Sequence, residues 1–380
     1  MSNFFTSQDF SGKLLNLAFG PTSATRPNLC LAIHDNDQML NHSLLQHRDN
    51  GWAYSQYYGI SLQQFSAALQ ILKMLFGENL REMNVLDFAC GYGRLLRFLT
   101  LIAPPSHIWA AELQPEAVNF VAQQFGVNGV ISNIDPREFD PGRTFDFIWV
   151  ASLFSHLPEE LFRAWLARLI SLLSPRGILC FSVRDESQAA PGAVIPELGV
   201  LFHPESENAQ LDRTIYGTTY ASEKFVAGVL RDVLGVGHTH TRLPKALAHE
   251  QDLYVVARDP ARSLTALQGF RRGPWGWLDR KQLQSDGKIY LEGWAASLDD
   301  GPIDHVEISL GDRQFRCDTY KRRDDVCEVF KDPRMLNSGW EFRHDFGEPM
   351  TDIAAEIAAV SVRGERALIY AGPIGASQTQ

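Results

Sequence analysis

Asn84-Val85-Leu86-Asp87-Phe88-Ala89-Cys90-Gly91-Tyr92-Gly93-Arg94 decides how the rest of the chain is read. It runs directly into Leu95-Leu96-Arg97-Phe98-Leu99. An apolar run ends in an aspartate, turns through Gly-x-Gly and enters apolar residues at helical spacing, which predicts strand, tight loop, helix. Glycines let the backbone approach a ligand with no Cβ in the way, and a helix start offers unpaired N–H groups to a carboxylate or phosphate. A dinucleotide loop needs a third small residue, and Leu96 stands there instead. No Lys-Ser/Thr pair follows the glycines, so a Walker loop is excluded too. What remains is a nucleotide-like ligand of another kind, held after the first strand of an α/β sheet.

Outward from this loop, strand and helix alternate. Ile108 to Glu112 reads as a second buried strand, and Pro115 opens a helix that Gly126 closes. Glu112, at the end of that strand, stands where a carboxylate can accept hydrogen bonds from both hydroxyls of a ribose. Gly129 to Ile131 is a short third strand, and the following loop offers Ile134 as an apolar wall and Asp135 or a backbone group as a reader of an adenine amino group. Thr144 to Val150 is a strongly apolar fourth strand, Pro158 to Leu173 a helix, and Ile178 to Val183 the fifth strand after the Ser174–Gly177 turn. Upstream, Ser61 and Gln64 form a capping box for a helix to Phe76, with Gly77 as its stop. The aromatic stretch before it, Trp52 to Tyr58, could close over a ligand or pack as core, and Tyr58 is the candidate contact.

V-L-D-F-A-C-G-Y-G-R, A-A-E-L, F-D-F-I-W-V-A-S-L-F-S-H-L and L-L-S-P-R-G-I-L, in this order and spacing, resemble a bacterial branch of the class I S-adenosylmethionine (SAM)-dependent methyltransferases. The resemblance covers about residues 50–258. It implies a doubly wound, seven-stranded, mostly parallel α/β sheet whose last strand is antiparallel, with SAM as cofactor. The family roles implied are Asp87, Ala89, Gly91 and Gly93 around the methionine end, Glu112 at the ribose, and Ser152 and Leu153 after the fourth strand, with Cys90 and Leu113 as further cofactor-binding candidates. The long insert from Arg184 to Ala221, ahead of a helix at Ser222–Leu234, normally shapes the acceptor pocket in this fold, with Arg184, Tyr216 and Tyr220 as acceptor-binding candidates. Val236–Thr241 and Asp252–Arg258 are expected to complete the sheet.

Beyond a polar linker at 259–274 the pattern changes to short period-two strands between Gly and Asp turns, which predicts an all-β sandwich over 275–372 and a tail at 373–380. The methyltransferase domain is accordingly expected over 51–258, after an irregular N-terminal segment at 1–50. Gly293-Trp294-Ala295, Arg323 to Val326 and Gly339-Trp340 resemble an accessory sandwich of bacterial surface-glycan enzymes. Trp275, Trp277, Trp294 and Trp340 offer a sugar-stacking platform, although core packing is the commoner fate of tryptophan in a small sandwich.

A formal charge of −10 over 380 residues argues against sequence-independent nucleic-acid binding. Five cysteines without a C-x-x-C pair suggest reduced thiols and no zinc site, and the scattered histidines suggest no other metal. No run approaches the roughly eighteen apolar residues of a membrane span, so a cytoplasmic protein is expected. Methyl transfer to an alcohol needs a base near neutrality, for which His156 is the first candidate and His203 the second. These readings converge on SAM-dependent O-methylation of a sugar or glycan-linked acceptor in surface polysaccharide synthesis. The rivals are N- or O-methylation of a small metabolite and a non-catalytic scaffold, and a second copy or a protein partner is a candidate occupant of the sandwich.

Overall fold

A computed structural model describes residues 4–20, 29–47, 49–205 and 212–377. Chain contacts divide it into two units, Met1–Ser66 with Arg271–Gln380 and Ala67–Phe270. The first fifty residues, expected to be irregular, hold helices α1 (Gln8–Phe19) and α2 (Gln38–Gln46), while Pro21 and Pro27 lie outside the described residues. Side-chain caps explain both starts: Ser7 accepts from the Phe10 N–H at 3.1 Å, and Asp37 from the Met39 N–H at 2.9 Å. α3 runs Asn50–Phe76, so Ser61 is buried inside a helix and not at its cap. Asp49 caps it instead, accepting from the Trp52 N–H at 3.1 Å. Gly59 inside the helix costs about 1 kcal/mol relative to alanine. Complete burial of Tyr57, Tyr58 and Phe65, each contributing roughly 1.5–3 kcal/mol, outweighs it.

The unit of residues 67–270 contains β1 (Val85–Phe88), α4 (Leu96–Leu99), β2 (Ile108–Glu112), α5 (Pro115–Phe125), β3 (Asn128–Ile131), β4 (Phe145–Val150), α6 (Glu159–Ser171), β5 (Leu173–Asp185), β6 (Val200–His203), β7 (Thr218–Ala221), α7 (Glu223–Leu234), β8 (Thr239–Leu247) and β9 (Gln251–Ala257). Strands β3-β2-β1-β4-β5 pair in parallel in that order, β9 lies antiparallel on β5, and β8 antiparallel on β9. This is the expected mixed sheet of seven with its last strand reversed. Two features were not anticipated. The glycine loop leads into a helix of a single turn, α4, too short for its N-terminus to serve as an anion site. And β5 runs past the body of the sheet, so that Arg184 and Asp185 pair with β7, which carries β6 as an antiparallel partner. The insert expected to shape the acceptor pocket thus contains a hairpin.

The other unit has β10 (Pro274–Gln284), β11 (Lys288–Ser297), β12 (His305–Leu310), β13 (Arg313–Cys317), α8 (Asp324–Phe330), β14 (Gly339–Asp345), β15 (Asp352–Val360) and β16 (Arg366–Ser377). The strands run in the order β13-β12-β15-β16-β10-β11-β14, and β10 meets β16 only through a short parallel stretch at Leu283 and Gln284. Alternate residues from both sides of that junction, among them Leu291, Ile308, Ile357 and Ile369, fill one core. Trp340 is wholly buried in it. Trp275 and Trp294 instead pack edge-on, 5.8 Å apart and both against Phe330, which is a cluster and not a flat sugar platform. Arg323 to Val326, read as a family motif, opens α8, and β16 extends through most of what looked like a tail.

The N-terminal segment belongs to this unit. Trp52 donates from Nε1 to the Leu278 carbonyl at 2.7 Å, and the Lys281 ammonium sits 3.0 Å from both Asp49 oxygens and 4.4 Å from the Trp52 and Tyr370 ring centres. The polar 259–274 run is fastened as well. Arg262 donates to the Leu75 carbonyl at 2.6 Å in one unit, and Arg272 pairs with Asp299 at 2.9 Å in the other.

Candidate cofactor and acceptor site

Asp87 lies at the carboxyl end of β1, 3% exposed, and the loop after it turns through Ala89 (φ 57°), Gly91 (φ 54°) and Gly93 (φ 79°). The two glycines serve different ends. A Cβ on Gly91 would meet nothing within 4 Å, so its absence leaves open space for a ligand. A Cβ on Gly93 would come within 2.5 Å of the Phe125 ring, so that glycine lets α5 pack against the loop. Ala89 holds a left-handed conformation that costs an alanine about 1–2 kcal/mol, strain of the kind that gathers at functional loops. Glu112, at the end of β2, joins the two loops: Oε2 accepts from the Gly91 N–H at 2.9 Å and Oε1 from the Leu113 N–H at 2.7 Å. A third backbone N–H, that of Gln114, also bonds the carboxylate, which leaves part of its acceptor capacity open. Cys90 is buried, and desolvation with two neighbouring carboxylates pushes its thiol well up, which leaves it a neutral packing group.

Burial, then the charge of Glu112, pushes the Asp87 carboxyl up to about 8, with Arg94 working in the opposite direction. The folded chain therefore keeps a proton that the unfolded chain has released. Its stability falls as pH rises from the unfolded value of 3.8 to about 8. Asp87→Asn is expected to melt with the parent at the acid end of that window and above it from about pH 8 upward, in ligand-free protein. Melting curves that stay parallel across the window would show that Asp87 carries no such proton.

Other candidates divide. Ile134 is 48% exposed and offers an apolar surface, but the Asp135 carboxylate is taken by its own loop. It accepts from the Arg137 backbone at 2.9 Å and from the Arg137 guanidinium at 3.0 and 2.6 Å, which holds it below the usual carboxylate range. Tyr58 is fully buried in the first unit, its hydroxyl donating to the Leu31 carbonyl at 3.2 Å and its ring edge-on to Phe10, so it serves there as core. Ser152 holds φ 61° just past β4, and its N–H donates to the Ser182 hydroxyl at 2.8 Å. Ser182 in turn donates to Gln251 at 2.7 Å, joining the ends of β4, β5 and β9. Leu153 packs against the sheet core. Sequence reasoning missed Ser182 and Gln251. The signal was a serine inside the apolar run Ile178–Val183, since a hydroxyl buried there needs a partner.

The hairpin is clipped to the segment after β4. The Gly217 N–H donates to the His156 carbonyl at 2.8 Å, the Thr219 N–H to Ser155 at 2.8 Å, and the Thr219 hydroxyl to Leu157 at 2.6 Å. His156 Nδ1 lies 2.7 Å from the Gly217 carbonyl, and its ring stacks on Tyr216 with centres 4.6 Å apart and planes 11° from parallel. A carbonyl only accepts, so Nδ1 carries the hydrogen and the lone pair of the neutral ring sits on Nε2. Strand register sorts the hairpin into two faces. Val200 and Ala221 point into the sheet core, while Arg184, Tyr220, Leu201, Thr218 and His203 share the other, half-exposed face. His203 stands at its exposed end, its ring 6.3 Å from that of Tyr220.

With that geometry in hand, residues 60–215 match the family described as Methyltransferase domain. The chain carries a SAM-dependent methyltransferase domain. The methyltransferase domain is similar to the malonyl-[acyl-carrier protein] O-methyltransferase of Bacillus cereus, at 26% identity over 190 residues, 49% of this chain and 66% of that relative. The chain thus spans just under two thirds of that relative's length. Among solved structures it is similar to the 1,6-didemethyltoxoflavin-N1-methyltransferase of Burkholderia thailandensis, at 20% identity, covering 63% of this chain and 94% of that one, with a TM-score of 0.38. It is also similar to the N-methyltransferase NodS of Bradyrhizobium japonicum, at 16% identity over 50% of this chain and 84% of that one, with a TM-score of 0.34. Within the methyltransferase domain the open Gly91 corner, the Glu112 carboxylate and the buried acid Asp87 fit a cationic, ribose-bearing cofactor. Among the described residues no helix is long and apolar enough to cross a membrane.

Proposed function

We propose that this chain methylates a hydroxyl of a sugar or glycan-linked acceptor, with His156 as the base. When bound, SAM supplies a methyl group already activated on sulfonium. Glu112 accepts from the ribose hydroxyls, the Gly91 corner lets the backbone close on the methionine end, Ser152 and Leu153 border it, and Asp87 supplies an acidic partner for positive charge. The observation that carries the hydroxyl reading is the His156 tautomer, fixed by the Gly217 carbonyl at 2.7 Å, which makes Nε2 the basic nitrogen. A general base contributes about 10²–10⁴-fold when a hydroxyl must lose its proton, and much less for an acceptor that is already anionic. The Bacillus cereus relative is named as an O-methyltransferase, which supports oxygen as the accepting atom. The half-exposed face with Tyr220, Thr218 and His203 supports a polar acceptor, and the ground for a glycan one is the resemblance of the Gly293-Trp294-Ala295, Arg323 to Val326 and Gly339-Trp340 motifs to accessory sandwiches of surface-glycan enzymes.

The test is methyl transfer from labelled SAM to a panel of nucleotide sugars, lipid-linked glycans and small metabolites, with the product located by NMR. A methyl ether on a sugar oxygen is the expected product. Methyl exclusively on nitrogen or carboxylate, or no transfer by protein that binds SAM, would overturn the reading.

A further inference from the structure

Arg184 stands two positions beyond Ser182 on β5 and so shares its face of the strand, opposite Val183, which is buried in the sheet core. Its Nε is buried with no hydrogen-bond partner, and among the described residues no carboxylate pairs with it. The acids nearby are already engaged. Asp185, Glu223 and Asp252 all hold Arg242, the first two at 2.7 Å and the third at 2.5 Å. An arginine cannot shed its charge as a lysine can, and a half-buried guanidinium with an unpaired donor is costly unless a ligand completes it. Register with Tyr220 puts it on the same hairpin face as Thr218, next to the segment that carries His156.

We infer that Arg184 is the anchor for an anionic group on the acceptor, a carboxylate or a phosphate, separate from the hydroxyl that is methylated. The inference rests on the acceptor reading above and adds a charge requirement to it. The guanidinium fork matches either anion through two parallel N–H···O bonds, and holding the acceptor there fixes which hydroxyl faces the His156 segment. Neutral sugars lack that anchor and are poor acceptors.

The experiment uses the full chain saturated with S-adenosylhomocysteine (SAH), titrated calorimetrically with glucose 1-phosphate, glucuronate and methyl glucoside at millimolar concentration. The charged sugars are expected to bind and methyl glucoside to bind at least tenfold more weakly, with the phosphate and carboxylate arms showing which anion is preferred. Arg184→Gln is expected to lose the charged sugars by about 10- to 100-fold, as a charge-assisted hydrogen bond is worth about 1.5–3 kcal/mol. Arg184→Lys recovers part of that loss, and unchanged SAH affinity in both variants shows that they fold. Equal binding of neutral and charged sugars, no binding of either charged sugar, or full binding by Arg184→Gln overturns the inference. Methyl transfer onto the glucuronate carboxylate also overturns it, because the anion would then be the reacting group. Arg184-dependent anion binding without transfer to any hydroxyl keeps the anchor and removes the hydroxyl reading instead.

Discussion

Glu112→Ala is expected to weaken SAH binding by about 10²- to 10⁴-fold, since two hydrogen bonds to a carboxylate are worth roughly 1.5–3 kcal/mol each. The carboxylate now accepts from the Gly91 and Leu113 N–H groups at 2.9 and 2.7 Å and from that of Gln114, so its removal also frees three loop amides that it holds in place. Titration calorimetry reads the affinity directly. Glu112→Gln separates the two effects, because the amide keeps one acceptor oxygen and loses the charge, and an intermediate affinity is expected. The substitution has an opposite effect on the ligand-free chain. Glu112 is the second-largest cause of the high Asp87 carboxyl, so Glu112→Ala lowers that value and relieves part of the stability lost toward about pH 8. A variant whose stability falls less steeply toward about pH 8 than the parent's, yet that binds SAH about 10²- to 10⁴-fold more weakly, is thus the specific expectation. Affinity within threefold of the parent would remove Glu112 from the ribose.

The parts of this site that were legible from sequence are those where a residue type has few alternative uses. Gly-x-Gly after an apolar run ending in aspartate, and a carboxylate closing the next strand, point to one edge of one sheet, and the strands pair there as the pattern implied. What stayed hidden depends on packing and on partner choices that residue type alone does not fix. The capping box at Ser61 argued for a helix start that does not exist, because burial of Tyr57 and Tyr58 carries α3 straight through Gly59. Asp135 looked available until its neighbour Arg137 took both oxygens. The hairpin β6–β7 alternates too briefly to be separated from loop by periodicity, yet it supplies the carbonyl that sets the His156 tautomer. The tryptophans of the sandwich share a residue type and differ in fate, Trp340 wholly buried and Trp294 in an outer cluster, because strand alternation assigns them to opposite faces.

That carbonyl allows the role of His156 to be tested apart from its place in the fold. An asparagine side chain sets an NH₂ group close to where Nδ1–H stands in histidine, so His156→Asn can still donate to the Gly217 carbonyl and keep the hairpin clipped, while the nitrogen that would take the proton is gone. His156→Ala removes both functions and leaves the carbonyl without that donor. The expected result for His156→Asn is a fall in kcat of about 10²–10⁴-fold with SAH affinity unchanged, the range for loss of a positioned base. The pH profile supplies the second readout. The residual rate of His156→Asn should climb only with the ionisation of the acceptor hydroxyl itself, so its profile should differ in form from the parent's. Should His156→Asn keep most of its activity while His156→Ala loses it, the histidine holds the hairpin and a different group, or none, removes the proton. Tyr216→Ala distinguishes the stack from the base, since it leaves the Gly217 bond in place, and a loss well below that of His156→Asn is expected if the ring contact only steadies the imidazole.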